Sequence, residues 1–499
     1  MSVIVGDFLG DLSGRARGGN QLISYNVFES GTSIYGDVSG VIRDQAGGGA
    51  DQITATVEIQ ALFGDASGLA NKGRGGDDRI TVAAAFDNVV YGDAYAMSGA
   101  SVGGRDMLAI TNQTFDEGNG SINTLYGDAH AMTGKALGGD DVFSHQGFGT
   151  VTLYGDAFTI SEAAKGGRDV VDLFAWNGAF VFGDADTIAM TGVGGSDTLT
   201  VYDGEVRGDA RLMQDSARGG WDKLYVGADG STTAWGDADR MIGHAKGGAD
   251  LISFLESTRM VGTAYGDGGT MADDTIGGND TIEGGEVGRV VITAYGDAGA
   301  MTGRARGGHD TINLTGFGEA AYGDARTMTD ETVGGADRIF GRAGVSNTIV
   351  GDAETMTGHA KGGKDVLTLG DSIDSDGSFA YGDAITMAGA AAGSDDRLVS
   401  GRADDDLWGD GQFMFDKAKG GKDTFVFLAD NGHDRVHDFK QGMDKIELRG
   451  TAAHGFADLV IEKTILDGKT ASLVHLDAGN DVTVVTSATL KASDFLFFV

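Results

Sequence analysis

The chain has 499 residues, among them 87 glycines and no proline or cysteine, and its formal net charge at pH 7 is -37. The absence of cysteine excludes disulfide bonds, thiolate metal sites and cysteine nucleophiles. The acidic balance argues against a nucleic acid partner, because binding would have to overcome phosphate repulsion. No apolar stretch approaches the ~20 residues that a spanning helix needs, so we expect no membrane span.

A repeat of about 28 residues organises the chain. The dipeptide Gly-Asp, usually within Tyr-Gly-Asp-Ala, recurs at fifteen places between Gly6 and Gly409. Each is followed by the motif Gly-Gly-x-Asp, whose first glycine lies 11 residues after the Gly of Gly-Asp in thirteen units and 12 in the first two. The segment from Gly-Asp to Gly-Gly therefore has a nearly constant length, and we call it the rigid arc. The length varies in the rest of the unit, from Gly-Gly to the next Gly-Asp, which we expect to carry the loops.

Residue types recur by column within the rigid arc. An aromatic residue precedes Gly-Asp in twelve units, and a Met stands five residues after that Gly in ten. Such columns are typical of stacked solenoid coils, in which each side chain packs on its equivalent in the next turn. We expect both columns to fill the core; a ligand groove lined by stacked aromatic rings is the alternative.

The segments between the glycines are short, rich in Ile, Val, Leu, Thr and Phe, and without a helical period. We therefore predict an all-β fold, a parallel β-solenoid (β-roll or β-helix) of about 15 coils. Each coil is expected to contain two or three strands: one after Gly-Gly-x-Asp, one leading into Tyr-Gly-Asp-Ala, and one through the Met column.

Two rows of aspartates carry most of the charge. Without the 29 aspartates of the two motifs, acidic residues would exceed basic ones by only 8. Stacked coils place like aspartates about 5 Å apart, a spacing at which like charges repel. Calcium, which takes 6 to 8 oxygen ligands, is the cofactor we predict. The alternative is that the aspartates cap tight turns by bonding their own backbone, above all in Gly-Asp.

The candidate calcium ligands are named here by row. The GGxD row consists of Asp51, Asp78, Asp106, Asp141, Asp169, Asp197, Asp222, Asp250, Asp280, Asp310, Asp337, Asp365, Asp396 and Asp423, with Gln21 in the equivalent position of the first unit. The GD row consists of Asp37, Asp65, Asp93, Asp128, Asp156, Asp184, Asp209, Asp237, Asp267, Asp297, Asp324, Asp352, Asp383 and Asp410.

Segments of the repeat also resemble a known family. GGNDTIEGG at 277–285 and GGKDTFVF at 420–427 resemble the nonapeptide of the RTX, or haemolysin-type, calcium-binding repeats. The resemblance implies that Asp280 and Asp423, and by repetition the rest of the GGxD row, bind calcium. The chain departs from the family in a shortened Gly-x-Gly run and in a coil of about 28 residues in place of two nonapeptides.

The end of the chain carries a second resemblance. DRVHDFKQGMDKIEL at 434–448 and the final SDFLFFV resemble the C-terminal region of RTX proteins such as the serralysins. That resemblance implies export by a type I secretion apparatus, which agrees with the lack of a signal-peptide pattern in residues 1–14. We therefore divide the chain into calcium-binding repeats at 1–425 and a capping and secretion region at 426–499.

The two resemblances together imply a secreted bacterial protein, extracellular or attached to the cell surface, that folds on calcium after export. We expect a structural role in a surface layer, matrix or fibre, with head-to-tail or lattice self-association, and no enzymatic activity. An adhesin or bacteriocin-like effector that contacts cells or glycans through residues 111–124 is the first alternative. A polysaccharide-active β-helix enzyme is the second, and it would need carboxylate and basic clusters that break the columns.

Overall fold

The computed structural model confirms the all-β solenoid. It describes residues 3–26, 31–56, 59, 61–83, 87–111, 122–147, 149–175, 178–227, 231–255, 259–285, 289–315, 319–341, 346–371, 377–477 and 479–498. Parallel stacked coils form a β-solenoid of about 14 turns of ~28 residues. The described helical elements include the short 3-10 helices Phe456–Asp458 and Ala492–Asp494. Among the described residues, no helix is long and apolar enough to cross a membrane.

Except at the two ends of the solenoid, each turn contributes one strand to each of three sheets. Strands that lead into Gly-Asp form the aromatic sheet, strands through the Met column form the methionine sheet, and strands that follow Gly-Gly-x-Asp form the third sheet. Neighbouring turns pair in parallel with like residues opposite one another, as Tyr126 pairs with Tyr154 and Met97 with Met132. The three strands of each coil are therefore those that the sequence predicts.

The chain divides into two compact units, Met1–Ser253 and Phe254–Val499. In the first unit the aromatic sheet contains Val3–Val5, Ser33–Tyr35, Ala61–Phe63, Asn88–Tyr91, Ile122–Tyr126, Thr150–Tyr154, Ala179–Phe182, Gly204–Arg207 and Ser231–Trp235. Its methionine sheet contains Val41–Arg43, Ala66–Ala70, Ala94–Met97, Ala129–Met132, Ala157–Ile160, Ala185–Ile188, Ala210–Met213 and Ala238–Met241. Its third sheet contains Leu22–Tyr25, Gln52–Ala55, Arg79–Ala83, Met107–Thr111, Val142–Gly147, Val170–Ala175, Thr198–Val201 and Lys223–Val226, and Leu251–Phe254 follows at the boundary.

The second unit continues the same pattern. Its aromatic sheet contains Arg259–Tyr265, Arg289–Tyr295, Ala320–Tyr322, Thr348–Val350, Phe379–Tyr381, Asp406–Trp408, His433–Val436 and Asn480–Val485. Its methionine sheet contains Gly268–Met271, Ala298–Met301, Ala325–Met328, Ala353–Met356, Ala384–Met387 and Gly411–Met414. Its third sheet contains Thr281–Glu283, Thr311–Asn313, Arg338–Phe340, Val366–Thr368, Arg397–Val399, Thr424–Leu428, Lys445–Arg449 and Phe495–Phe498. An antiparallel hairpin of Val460–Leu466 and Lys469–Asp477 lies beside Asn480–Val485.

Both side-chain columns pack as core. Met132 and Met301 are fully buried, and aromatic rings of successive turns lie face to face, with ring centroids 4.8 Å apart for Tyr91 and Tyr126. Stacking at the strand spacing removes both faces of each ring from water, which supplies apolar burial at every turn.

The first repeat is incomplete, which accounts for about 14 turns where about 15 coils were expected. Its Gly-Asp is followed by isolated bridges at Phe8 and Leu12, without a strand in the methionine sheet. Leu12, which is 4% exposed, pairs with Ile42 and so occupies the Met column in this repeat, but only through an isolated bridge.

Candidate metal centre

The structure places both aspartate rows inside the coils. All 28 candidate ligands are buried, none more than 3% exposed. This burial follows from the glycines beside them, which let the backbone of successive turns approach closely. A Cβ on Gly92 would lie 1.8 Å from the carbonyl oxygen of Gly127, so no larger residue fits that corner.

The GGxD row forms a ladder between turns. The main-chain N–H of Asp78 donates to Oδ1 of Asp106 at 2.7 Å, and that of Asp106 donates to Oδ1 of Asp141 at 2.7 Å. The same bond recurs from Asp310 to Asp337 at 2.7 Å in the second unit. Each carboxylate therefore satisfies a backbone donor of the preceding turn.

Each carboxylate of the GD row forms a hydrogen bond to the backbone of its own turn. These carboxylates accept the N–H of the second glycine of Gly-Gly, 11 residues further on, as Asp156 Oδ1 does from Gly167 at 2.7 Å. The same bond joins Asp297 and Gly308 at 2.6 Å. In both rows one carboxylate oxygen thus accepts a main-chain N–H, but from a residue 11 to 35 positions away and not from the local turn of the alternative interpretation.

The second carboxylate oxygen of most row members is buried and has no hydrogen-bond donor. In the GGxD row this holds for Oδ2 of Asp51, Asp78, Asp106, Asp141, Asp169, Asp197, Asp222, Asp310, Asp337, Asp365, Asp396 and Asp423. In the GD row it holds for Oδ1 of Asp37 and Asp65 and for Oδ2 of Asp156, Asp184, Asp209, Asp297, Asp324, Asp352 and Asp383. An ionised carboxylate left in this state pays a large desolvation penalty.

These donorless oxygens meet other oxygens at the glycine corners. Oδ2 of Asp106 and the carbonyl oxygen of Gly127 both lie where a Cβ on Gly92 would be, 2.2 and 1.8 Å from that position. Asp93 and Asp128 of successive turns, which accept the N–H groups of Gly104 and Gly139, lie within hydrogen-bonding range of each other. Two ionised carboxylates supply no hydrogen for such a contact, so it requires either a bound proton or a bridging cation.

Burial and mutual repulsion raise the pKa values of these groups. Loss of solvation raises the pKa of Asp37 to about 6, that of Asp51 to about 7 and that of Asp423 to about 9. For Asp93, desolvation first and the charge of Asp106 second hold the pKa well above its usual range. Such shifts show how strongly the fold disfavours bare negative charge along the rows.

At the end of the GD row in the second unit, the chain supplies a cation of its own. The ammonium of Lys440 donates to Oδ2 of Asp410, and the charges of Asp438 and Asp444 lie close to that ammonium. In the first unit, the side-chain amide of Gln21 donates to Asp7, the first Gly-Asp carboxylate. Lys440 and Gln21 thus each donate a hydrogen bond to a carboxylate at one end of the GD row.

Sequence reasoning missed two carboxylates of the tail that bond the last turn of the rows. Asp438 accepts the main-chain N–H groups of Gly409 and Asp410 at 2.8 and 2.9 Å, and Asp444 accepts that of Asp423 at 3.1 Å.

The donor set fits a hard cation in its chemistry, because it combines buried carboxylate and carbonyl oxygens. Its present geometry is not that of a finished site: among the described residues, no group of three or more His, Asp or Glu side chains is placed to hold a metal ion together. Binding would therefore need the donorless oxygens of adjacent turns to reorient toward an ion.

Comparison with known proteins found no relative of the chain. No family model, no curated protein and no solved structure matches the chain.

Proposed function

We propose that the chain is a calcium-binding, RTX-type repeat protein whose coils fold when calcium neutralises the two aspartate rows. The observation that carries this proposal is the series of buried carboxylates that each have one oxygen bonded to the backbone and the other without a donor. A divalent cation with oxygen ligands meets both requirements of such a row, since it supplies positive charge and accepts several oxygens at flexible angles.

Lys440 supports this interpretation. Where the GD row ends, a cation covalently attached to the chain lies against a buried carboxylate, as a bound ion would do between turns. Buried charges in proteins are paired or coordinate metals, because an isolated one is too costly.

Calcium dependence suits a secreted protein. In the bacterial cytosol, where free calcium is scarce, repulsion along the rows would keep the chain unfolded for export; outside, sites with affinities of roughly 10⁻⁴ to 10⁻³ M would fill. The resemblance of the tail to serralysin-type C-terminal regions supports the type I apparatus as the export route.

We assign the solenoid a structural extracellular role in a surface layer, matrix or fibre. Among the described residues, strands Val3–Val5 and Leu22–Tyr25 of the first turn each pair with one neighbouring strand, and Leu9 and Leu22 are exposed there. An open parallel edge of this kind can accept another chain, so it supports head-to-tail self-association. Residues 112–121 of the loop considered for an adhesin lie outside the described residues.

The test is folding against calcium concentration. Circular dichroism of metal-free protein at neutral pH should show a disordered chain, and millimolar calcium should restore the β signal. Asp169→Asn, which removes one buried charge, should lower the calcium stoichiometry measured by isothermal titration. Asp172→Asn is the matched control, because Asp172 is exposed on the strand Val170–Ala175 that directly follows Asp169. An identical β signal with chelator and with calcium would contradict the proposal, and light scattering checks self-association separately.

A further inference from the structure

The three sheets of the second unit do not end together, and the difference creates a cleft. Gly411–Met414 is the last strand of the methionine sheet among the described residues, and it pairs on one side only, with Ala384–Met387. The aromatic sheet continues beyond that level with His433–Val436. The turn of the antiparallel hairpin, at Leu466 and Lys469, lies across the step. The result is a cleft of about 430 Å³, within the range of small-molecule sites.

One wall of the cleft is an ordered polar cluster. Asp406 Oδ1 lies 2.6 Å from Nε2 of His437, and its Oδ2 lies 3.2 Å from Nη1 of Arg435. Both Asp406 and His437 are largely buried, with side chains 18% and 13% exposed. The carboxylate therefore fixes the imidazole and the guanidinium in place beside the opening, which reduces the ordering cost of binding a ligand there.

The cleft also contains aromatic surface. Trp408 is packed between Tyr381 and His437, with ring centroids 4.7 and 4.0 Å apart, so its two faces are already covered. Phe413 differs, because it is 49% exposed and lines the cleft from the open edge of the methionine sheet. Gln412 lies next to it on the same strand and adds an amide with both donor and acceptor atoms.

We propose that this cleft binds a saccharide, and that Phe413 supplies the face on which a pyranose ring packs. Sugar hydroxyls both donate and accept, and the cleft offers an acceptor on Asp406 together with donors on Arg435 and Gln412. Sugar C–H groups pack on an exposed aromatic ring, and burial of that ring contributes binding energy. This site is distinct from the proposed calcium-dependent folding, because the ligand would bind to the second unit after it has folded.

A polypeptide strand that adds to the open edge of Gly411–Met414 is the competing occupant. Backbone pairing would use that edge and would not require the fixed Asp406, Arg435 and His437 cluster. The structure favours the saccharide, since charged side chains of fixed geometry and one exposed ring converge on the same small cleft.

The test uses the full chain in millimolar calcium, with its fold confirmed by circular dichroism. Saturation-transfer NMR and isothermal titration with short oligosaccharides of neutral hexoses and of hexuronates should identify at least one that binds. Phe413→Ala should weaken that binding roughly tenfold, and Gln412→Ala should weaken it as well. Phe415→Ala is the matched control, because Phe415 is 55% exposed only two residues away.

The two saccharide classes separate a neutral ligand from an acidic one, whose carboxylate would use Arg435 and Lys469. The proposal is overturned if the folded protein binds no oligosaccharide of either class. It is equally overturned if Phe413→Ala and Gln412→Ala both bind like the unaltered chain, or if an extended peptide occupies the cleft in place of the sugar. Calcium-dependent folding is tested by circular dichroism, whereas saccharide binding is tested by NMR and titration on the folded protein. The failure of one proposal can therefore be distinguished from the failure of the other.

Discussion

The ammonium of Lys440 lies against Oδ2 of Asp410, the last carboxylate of the GD row, and forms an ion pair with it. Asp410 is 1% exposed, whereas the lysine side chain is 38% exposed and reaches the row from the surface. A buried carboxylate at the end of a row of like charges is therefore neutralised from outside by the tail.

Replacing Lys440 by methionine should destabilise the protein by about 1–2 kcal/mol in limiting calcium, because Asp410 would lose its cation while staying buried. The loss of stability is modest because the ammonium is partly exposed, and solvent screens its charge. Urea unfolding measures the difference, and we expect it to shrink as calcium rises and an ion takes the place of the ammonium. Lys463→Met, on the exposed face of the hairpin, is the control and should be neutral. An equal effect of both substitutions would contradict the role of Lys440.

Without calcium, stability should fall as pH rises. Burial raises the folded-state pKa of Asp209 to about 6, that of Asp51 to about 7 and that of Asp423 to about 9. The unfolded value is about 3.9. Because the folded state binds these protons more tightly, their contribution is complete below about pH 3.9 and is lost as pH rises through the folded values.

Circular dichroism of metal-free protein should therefore show more β structure at mildly acidic than at neutral pH. Saturating calcium should reverse the trend, because the metal binds the ionised carboxylates and competes with protons. A sodium chloride series at matched ionic strength controls for general screening. A metal-free β signal that rises toward neutral pH would show that the rows are not protonated in the folded state.

Much of this architecture could be predicted from the sequence because the same residue types recur at fixed positions in successive repeats. The spacing of Gly-Asp and Gly-Gly-x-Asp indicated the turns, and each row of aspartates is buried at the position that the columns gave. The backbone bonds of the carboxylates could not be assigned, since capping and metal binding both use Asp beside Gly. Lys440 was missed because its tail segment lacks the Gly-Gly motif. The cleft was missed because Asp406, Arg435 and Lys469 come from three strands far apart in the sequence.

The glycine of each Gly-Asp corner should tolerate no side chain. A Cβ on Gly92 would come within 1.8 Å of the Gly127 carbonyl oxygen and 2.2 Å of Asp106 Oδ2, neither of which can move without breaking the row. Gly92→Ala should therefore cost about 3 kcal/mol, as overpacking of a rigid site does. Gly68→Ala is the matched control, because its Cβ would meet nothing closer than 3.4 Å. Urea unfolding in saturating calcium distinguishes them, and similar midpoints for both variants would mean that the corner is less rigid than its contacts indicate.

A different column contains backbone conformations that most residues avoid. The residue that ends each methionine-sheet turn has positive φ, and it is Gly243 (φ 76°) in one repeat but Met190 (φ 60°) in another. A left-handed conformation costs a residue with a side chain about 1–2 kcal/mol, whereas glycine adopts it freely. Met190 is 53% exposed, so its side chain contributes little burial in return.

Met190→Gly should therefore stabilise the protein by about 0.5–1 kcal/mol, after the greater freedom of glycine in the unfolded chain is taken into account. The reverse exchange at the equivalent position, Gly243→Met, should destabilise it by a similar amount, and the pair tests the column without altering the aspartate rows. Thermal unfolding in saturating calcium is the measurement. If Met190→Gly lowers the midpoint, the methionine must make contacts that outweigh the strain of its backbone.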